Sequence, residues 1–369
     1  MRIFATIAIT LTICACTAIQ DTPVIDDQPA TARENAESVL LRWIDRLPHA
    51  LEIGADKLTP SIEKAAAFQT ALEALITDDL SLAAAAAELA GYRVTVFKFG
   101  ESRFTALVDS QYPGIGPTII VNMQATRELI AGAPHPVFEE GVDVEAGLFL
   151  TRLGARAAII AGAHACASST ASQCSGADYV CARTGSLQLR LSDAAHSTIL
   201  LYQLALETMA SEWPDSIFFN LRGMQQTDTA SAIFSNGSNT LAGPEELANR
   251  LRTSVKAAWP DSAAYVFSCQ DADNDFRNYR SSCGTGNVQG RFLNGSPDAC
   301  TVAATESGGR FINLEQGDKI LDSFESSAQL KLSASPAEKL LRGIAAVIPS
   351  SERETTTQGK TSAHGQGNQ

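Results

Sequence analysis

Apolar positions fall into two rhythms along this chain. In the first ninety residues they recur at helical spacing. Leu40, Leu41, Ile44 and Leu47 share one face, which predicts a helix over 34–47. Further helices are predicted over 61–76 and 80–90, the second rich in alanine. The rhythm then shortens. Residues 92–99 and 104–109 alternate around Gly100 and Glu101 as a β-hairpin, and 117–123 reads as a strand.

Beyond this point strands and helices take turns. Short apolar runs predict strands at 157–162, 216–221, 231–235, 263–268 and 309–314. Amphipathic runs predict helices at 144–153, 193–212, 244–258, 318–330 and 336–346. In the helix over 193–212, Ala195, Ile199, Tyr202, Leu206 and Met209 form the stripe expected to be buried. Such alternation predicts an α/β fold: a mixed or mainly parallel sheet with helices on both faces, preceded by an N-terminal helical segment and a small hairpin. The expected organisation is a helical segment over 34–91, an α/β domain over 92–348 and a disordered tail over 349–369, which is polar and lacks aromatic residues.

Composition changes the picture in two places. The net charge of −13 gives no basic footprint for phosphate, so nucleic acid is not an expected partner. At the N-terminus, Arg2 precedes an uncharged apolar run over 3–15, too short to span a bilayer but suited to a signal peptide over 1–18. The run ends in Ile13-Cys14-Ala15-Cys16, which resembles a bacterial lipobox with Cys16 as the lipidated residue. Cleavage after Ala18 by an ordinary signal peptidase is the competing reading. Either route predicts an exported protein with 19–33 as a flexible leader; on the lipobox route it is periplasmic and touches the membrane only through a lipid on Cys16. Cys166, Cys174, Cys181, Cys269, Cys283 and Cys300 then remain. An even set in an oxidising compartment predicts up to three disulfides, mostly within the two clusters. The polar stretch over 269–300 is expected to be pinned by them as a loop across the cleft, with Arg291 directed inward.

The candidate chemistry lies between Gly132 and Gln316. His135 sits between two prolines, with Glu139 and Glu140 just beyond, and an imidazole and a carboxylate at this spacing can reach one metal. On the motif alone a solvent-exposed loop histidine with two surface carboxylates is the preferred reading. His164 ends an apolar strand, and His196 follows Ser192 and Asp193 at the expected helix start, a place that favours an anion. His49, beside Pro48, is expected to be solvated. Arg222 closes the apolar strand over 216–221, where a guanidinium must find a partner: Glu139, Glu140, Asp193 or Glu315. With Ile312 and Leu314 facing the core, period-2 alternation turns Asn313 and Glu315 toward the other face, where Glu315 can act as a general base. Arg222, Asp193 and Arg291 are the candidates for holding a substrate or its anionic group.

The order of His-plus-acid loop, alternating core, strand-end basic residue and late strand-end glutamate over 132–316 resembles the zinc carboxypeptidase and N-formylglutamate amidohydrolase group. That resemblance implies an α/β fold with zinc held by His135 and Glu139, and Glu315 as the base. It implies a small peptide or an N-acyl amino acid as substrate. The chain departs from the group in two ways. The spacing from His135 to Glu139 is one residue longer than the carboxypeptidase pattern, and Arg222 stands where a third ligand, a histidine, is expected. A guanidinium cannot ligate zinc. Either His164 or His196 completes a rearranged zinc site, or Arg222 occupies the metal position and no zinc binds. Two functions follow: an exported zinc-dependent hydrolase of amide or peptide bonds, or a non-catalytic envelope lipoprotein that binds a peptide or cell-wall fragment. The absence of a Gly-x-Ser-x-Gly elbow argues against a serine hydrolase.

Overall fold

A computed structural model describes residues 30–99, 101–176, 181, 188–224, 230–260, 264–271, 283–325 and 335–350. The chain begins with helices α1 (Ala30–Ile44), α2 (Ala55–Leu58), α3 (Ile62–Ile76) and α4 (Leu80–Leu89). Strands β1 (Tyr92–Phe99), β2 (Ser102–Asp109), β3 (Thr118–Asn122) and β4 (Leu129–Ala133) follow, then α5 (Val142–Thr151) and β5 (Ala157–Ile160). After a long connection come α6 (Leu201–Glu212), β6 (Ile217–Gly223), β7 (Ala230–Ser235), α7 (Leu247–Ala258) and β8 (Ala264–Ser268). The last elements are α8 (Val288–Leu293), β9 (Phe311–Gln316), α9 (Asp318–Glu325) and α10 (Pro336–Val347). Polar side chains start several helices by accepting free backbone N–H groups: Ser61 from Lys64, Asp79 from Leu82, Asn287 from Gly290 and Ser335 from Glu338.

Among the described residues nine strands form one mixed sheet in the order β1-β2-β3-β5-β4-β6-β9-β7-β8. Its first strands are antiparallel. The central strands β5, β4, β6 and β9 run parallel, so their carboxyl ends share one edge. Helices cover both faces. Residues of α1, α5, α7, α9 and α10 build one core with Phe219, Leu221, Ile312 and Leu314. Residues of α3, α4 and α6 build the other with Phe218 and Phe311. The N-terminal helices therefore join both layers.

Alternation along β6 and β9 sets up the site. Phe218 pairs in register with Phe311, Asn220 with Asn313, and Arg222 with Glu315. The stacked Phe218 and Phe311 rings anchor this face. Two residues further along each strand the same face turns polar, then charged. The change occurs where the sheet meets the loops, as ligand sites in open α/β sheets require.

Several expectations need correction. The strand β4 was not foreseen, although it delivers His135. The helix expected over 193–212 is broken: a single 3₁₀ turn at Ala194–His196 is followed by extended Ser197, and α6 begins at Leu201. Tyr202, Leu206 and Met209 are buried as the stripe requires, but Ile199, in the break, is 48% exposed. Part of the stretch expected to be loop forms α8. Cys166–Cys181 and Cys269–Cys283 are disulfides within their clusters, while Cys174–Cys300 joins the two clusters across 126 residues. The expected signal segment, Cys16, residues 19–29 of the leader, the tail beyond residue 350, residues 326–330 of the expected helix and 272–282 of the cysteine-rich stretch lie outside the described residues, while 30–33, expected as leader, begin α1. Among the described residues no helix is long and apolar enough to cross a membrane.

Glu145 of α5 is fully buried, and its Oε2 accepts a 2.5 Å hydrogen bond from Gln316 Nε2 at the end of β9. Burial pushes this carboxyl up to about 8, against the pull of Gln316 in the other direction. The folded state thus holds a proton that the unfolded chain releases near its ordinary value of 4.5. The resulting stabilisation is fully present below that value and is lost as pH rises toward about 8. Glu145→Gln should be more stable than wild type at alkaline pH by at least ~1 kcal/mol, a gap that closes toward mildly acidic pH. Thermal denaturation across this range checks it, and a pH-independent difference contradicts it.

Candidate functional site

Each central parallel strand brings a polar residue to the same edge. His164 follows β5, His135 follows β4, and Arg222 and Glu315 lie near the ends of β6 and β9. Close approach at β4 depends on Gly132. A Cβ there would lie 2.2 Å from Phe218 Cζ and 2.6 Å from Tyr202 Oη, so no larger residue fits without displacing both rings. Beyond Pro134 the chain turns sharply: the N–H groups of Phe138 and Glu139 donate to the His135 carbonyl at 3.1 and 2.9 Å. This turn carries the Glu139 carboxylate back to the His135 ring.

The side chains then form one connected series. Arg222 Nε lies 3.0 and 3.1 Å from the two Glu139 oxygens, and Arg222 Nη2 is 3.0 Å from Oε1. Glu139 Oε1 is 3.0 Å from His135 Nδ1. His135 Nε2 is 2.7 Å from Asp193 Oδ1, and Asp193 Oδ2 is 2.9 Å from His196 Nδ1. Asp193 also accepts the Ala195 N–H at 3.0 Å, which fixes the 3₁₀ turn and with it His196. On the neighbouring strand, Asn220 Nδ2 donates to Asn313 Oδ1 at 2.7 Å, and Asn313 Nδ2 donates to Glu315 Oε1 at 3.1 Å. His135, Glu139, Asp193 and Glu315 are all buried.

Burial of so many charges is tolerable only because they are paired. Burial and the Arg222 guanidinium push the His135 imidazole down, but Asp193 and Glu139 outweigh them and leave it at about 9. Burial opposes ionisation of Asp193, yet His196 and His135 hold its carboxyl well below the usual range. Glu139 is likewise held low by Arg222 and His135 against burial. Glu315 differs. Burial pushes it up to about 7, with Arg222 acting in the opposite direction and Glu139 in the same one. It is the carboxyl of this site poised to exchange a proton near neutrality.

His135, Asp193 and His196 each offer a ligand atom, and these atoms lie within 4.8 Å of one another, so the three can hold a metal ion. Glu139, read from sequence as a ligand, is outside this group and stands behind His135 on Nδ1. His164 is outside it too. Its Nδ1 accepts the Cys166 N–H at 3.0 Å, and its ring meets Phe138 edge-on. Glu140 is exposed. Arg291 is engaged by loop acceptors: its donors reach Thr285 O at 3.1 Å, Ser175 Oγ at 3.1 Å and Cys300 O at 2.8 Å, bracing the loop closed by Cys174–Cys300. His49 is not simply solvated, since its Nδ1 lies 2.9 Å from the Gly162 carbonyl oxygen. Tyr202 was read only as core. Its buried hydroxyl, beside Gly132 and within the field of Arg222 and Glu139, has no hydrogen-bond partner among the described residues.

No protein-family model and no curated protein matches the chain. Two solved structures are similar at low level. A bacteriophage poly-gamma-glutamate hydrolase is 14% identical, with a TM-score of 0.31, over 64% of this chain and 89% of its own. A "putative carboxypeptidase" from Burkholderia mallei ATCC 23344 is 15% identical, with a TM-score of 0.28, over 69% of this chain and 62% of its own. Likeness of this degree assigns neither family nor activity, and the site is interpreted from its own residues.

Arg222 is the cation that balances Glu139 and faces Glu315. Arg222→Ala leaves two buried carboxyls short of a partner and should cost roughly 3–5 kcal/mol. Denaturant unfolding at neutral pH measures it. A change within about 0.5 kcal/mol, as for an ordinary surface position, contradicts the assignment.

Proposed function

We propose that this protein is a metal-dependent hydrolase of amide or peptide bonds, with zinc held by His135, Asp193 and His196 and with Glu315 as its proton-transfer residue. The observation that carries this reading is the Glu139–His135 contact. A carboxylate on Nδ1 fixes the imidazole so that Nε2 points at Asp193, next to His196. Metal-ligating histidines are commonly oriented by an outer carboxylate in this way. Two imidazoles and one carboxylate form a donor set suited to catalytic zinc, which takes three protein ligands and leaves a position open. Bound there, zinc would supply Lewis acidity toward a carbonyl.

The chain's own residues supply the rest. Arg222 holds Glu139 in place, and so holds His135. Glu315, raised toward neutrality, takes up or releases the proton that amide cleavage must move. A small peptide or N-acyl amino acid is the substrate class this reading favours. The three disulfides Cys166–Cys181, Cys174–Cys300 and Cys269–Cys283 fit an oxidising compartment, and export with a lipid anchor at Cys16 belongs to the same proposal.

One observation favours a second reading. Both ring nitrogens of His135 already face carboxylates, and Arg222 already neutralises Glu139, so the network is satisfied without an ion. On that reading the protein binds its ligand and catalyses nothing. Zinc titration separates the two. The hydrolase predicts about one zinc per chain. His196→Ala should abolish it. Glu315→Gln should retain zinc while losing roughly 10²–10⁴-fold in hydrolysis of N-acyl amino acids. A folded wild type that takes up no zinc overturns the hydrolase and supports the binder.

A further inference from the structure

Arg222 was the residue expected to grip an anionic substrate group, but its guanidinium is committed to Glu139. An acidic ligand needs other cations, and Lys57 and Lys64 are candidates. A cavity of about 30 Å³ opens at the same edge of the sheet, lined by Lys57, Lys64, Asp109, Gly162, Ser192 and Tyr202. Ser192 and Ala194 of the lining flank Asp193 in the chain, and Gly162 lies just beyond β5, so the cavity and the His135–Asp193–His196 cluster share neighbouring backbone.

Its cations are not consumed by acids. Among the described residues neither lysine makes a salt bridge. Both ammonium groups instead approach the Tyr112 ring, Lys57 at 5.4 Å and Lys64 at 5.6 Å from its centroid, and Lys64 also lies 5.9 Å from that of Tyr92. A ring face attracts a cation while leaving its outward N–H donors available. Lys57 is exposed and Lys64 half-buried, so the pair is accessible from solvent. The acid in the lining, Asp109, is occupied by backbone, accepting from Tyr112 N at 2.8 Å and Gly116 N at 3.0 Å. Tyr202 adds a second observation: this lining side chain carries a buried hydroxyl that lacks a partner among the described residues.

We infer that Lys57 and Lys64 form a subsite for a carboxylate of the substrate. It takes the free carboxylate of a peptide or N-acyl amino acid and places the neighbouring amide toward His135, Asp193 and His196. This assignment rests on the proposed function for its substrate class, but the binding does not require a metal.

The test is an NMR titration of the protein, with no metal added, using N-acetyl-L-alanine and N-acetyl-L-alaninamide. Wild type should bind the acid roughly tenfold or more tightly than the amide, and weaken as salt rises. The double variant Lys57→Gln/Lys64→Gln should lose that preference, and Lys57→Arg/Lys64→Arg should keep most of it. Zinc uptake should be the same in all three proteins, so failure of the subsite and failure of the zinc site remain distinguishable. Equal binding of acid and amide by wild type overturns the subsite. So does no binding of either, or a preference that survives in the glutamine variant.

Discussion

The Arg222–Glu139 ion pair is the interaction on which the rest of the site depends. Glu139 is buried and touches His135, whose other nitrogen touches Asp193, which in turn holds His196. A buried carboxylate without a cation would take up a proton, and the carboxylate that orients His135 would be lost. Arg222 prevents this because it stays charged at any accessible pH and meets the carboxylate with more than one N–H donor. The constraint reaches across the sheet as well. Glu315, opposite Arg222 on β9, is left with only part of that cation's field, and burial then keeps it near neutrality while Glu139 remains ionised.

The scaffold makes this possible by placing one parallel set of strands edge to edge. Ile130, Phe218 and Phe311 fill the face shared by β4, β6 and β9. One step further, Gly132, Asn220 and Asn313 replace bulk with space and hydrogen bonding. The last step carries Arg222 and Glu315. The apolar rows hold the strands in register, so Arg222 and Glu315 sit on regular backbone, while His135 and Glu139 sit on the turn after β4. Asp193 and His196 come from a connection instead. That connection is held by the Asp193 cap on Ala195 and by Gln289 Nε2, which donates to the Ala194 carbonyl at 2.9 Å.

Much of the fold was legible because periodicity is a local property. The hairpin of β1 and β2, the helices α3 and α4, and the outward turn of Asn313 and Glu315 all follow from spacing within a few residues. The strand β4 was missed because its sequence, Leu-Ile-Ala-Gly-Ala, is short and mostly small residues, with only one β-branched side chain. The smallness has its own cause: Gly132 must clear Phe218 and Tyr202, contacts that no local pattern encodes. His135 and Glu139 could be paired from their spacing, since a turn joins them. That Asp193, 58 residues away, takes the other side of the ring could not. Tyr202 was hidden for the opposite reason, because its place in the apolar stripe of α6 explains it fully as core. Arg291 looked free because the carbonyls it binds, on Thr285 and Cys300, belong to backbone, which leaves no trace in side-chain patterns.

The central claim is that the carboxylate-held imidazoles form a metal centre, and the direct measurement is anomalous diffraction at the zinc edge from crystals equilibrated with zinc. The account predicts a single strong peak bonded to His135 Nε2, an Asp193 oxygen and a His196 nitrogen at roughly 2.0–2.2 Å, with Glu139 still on His135 Nδ1. No peak at these residues, or a peak coordinated by other side chains while the Arg222–Glu139–His135–Asp193 series stays closed, would contradict it.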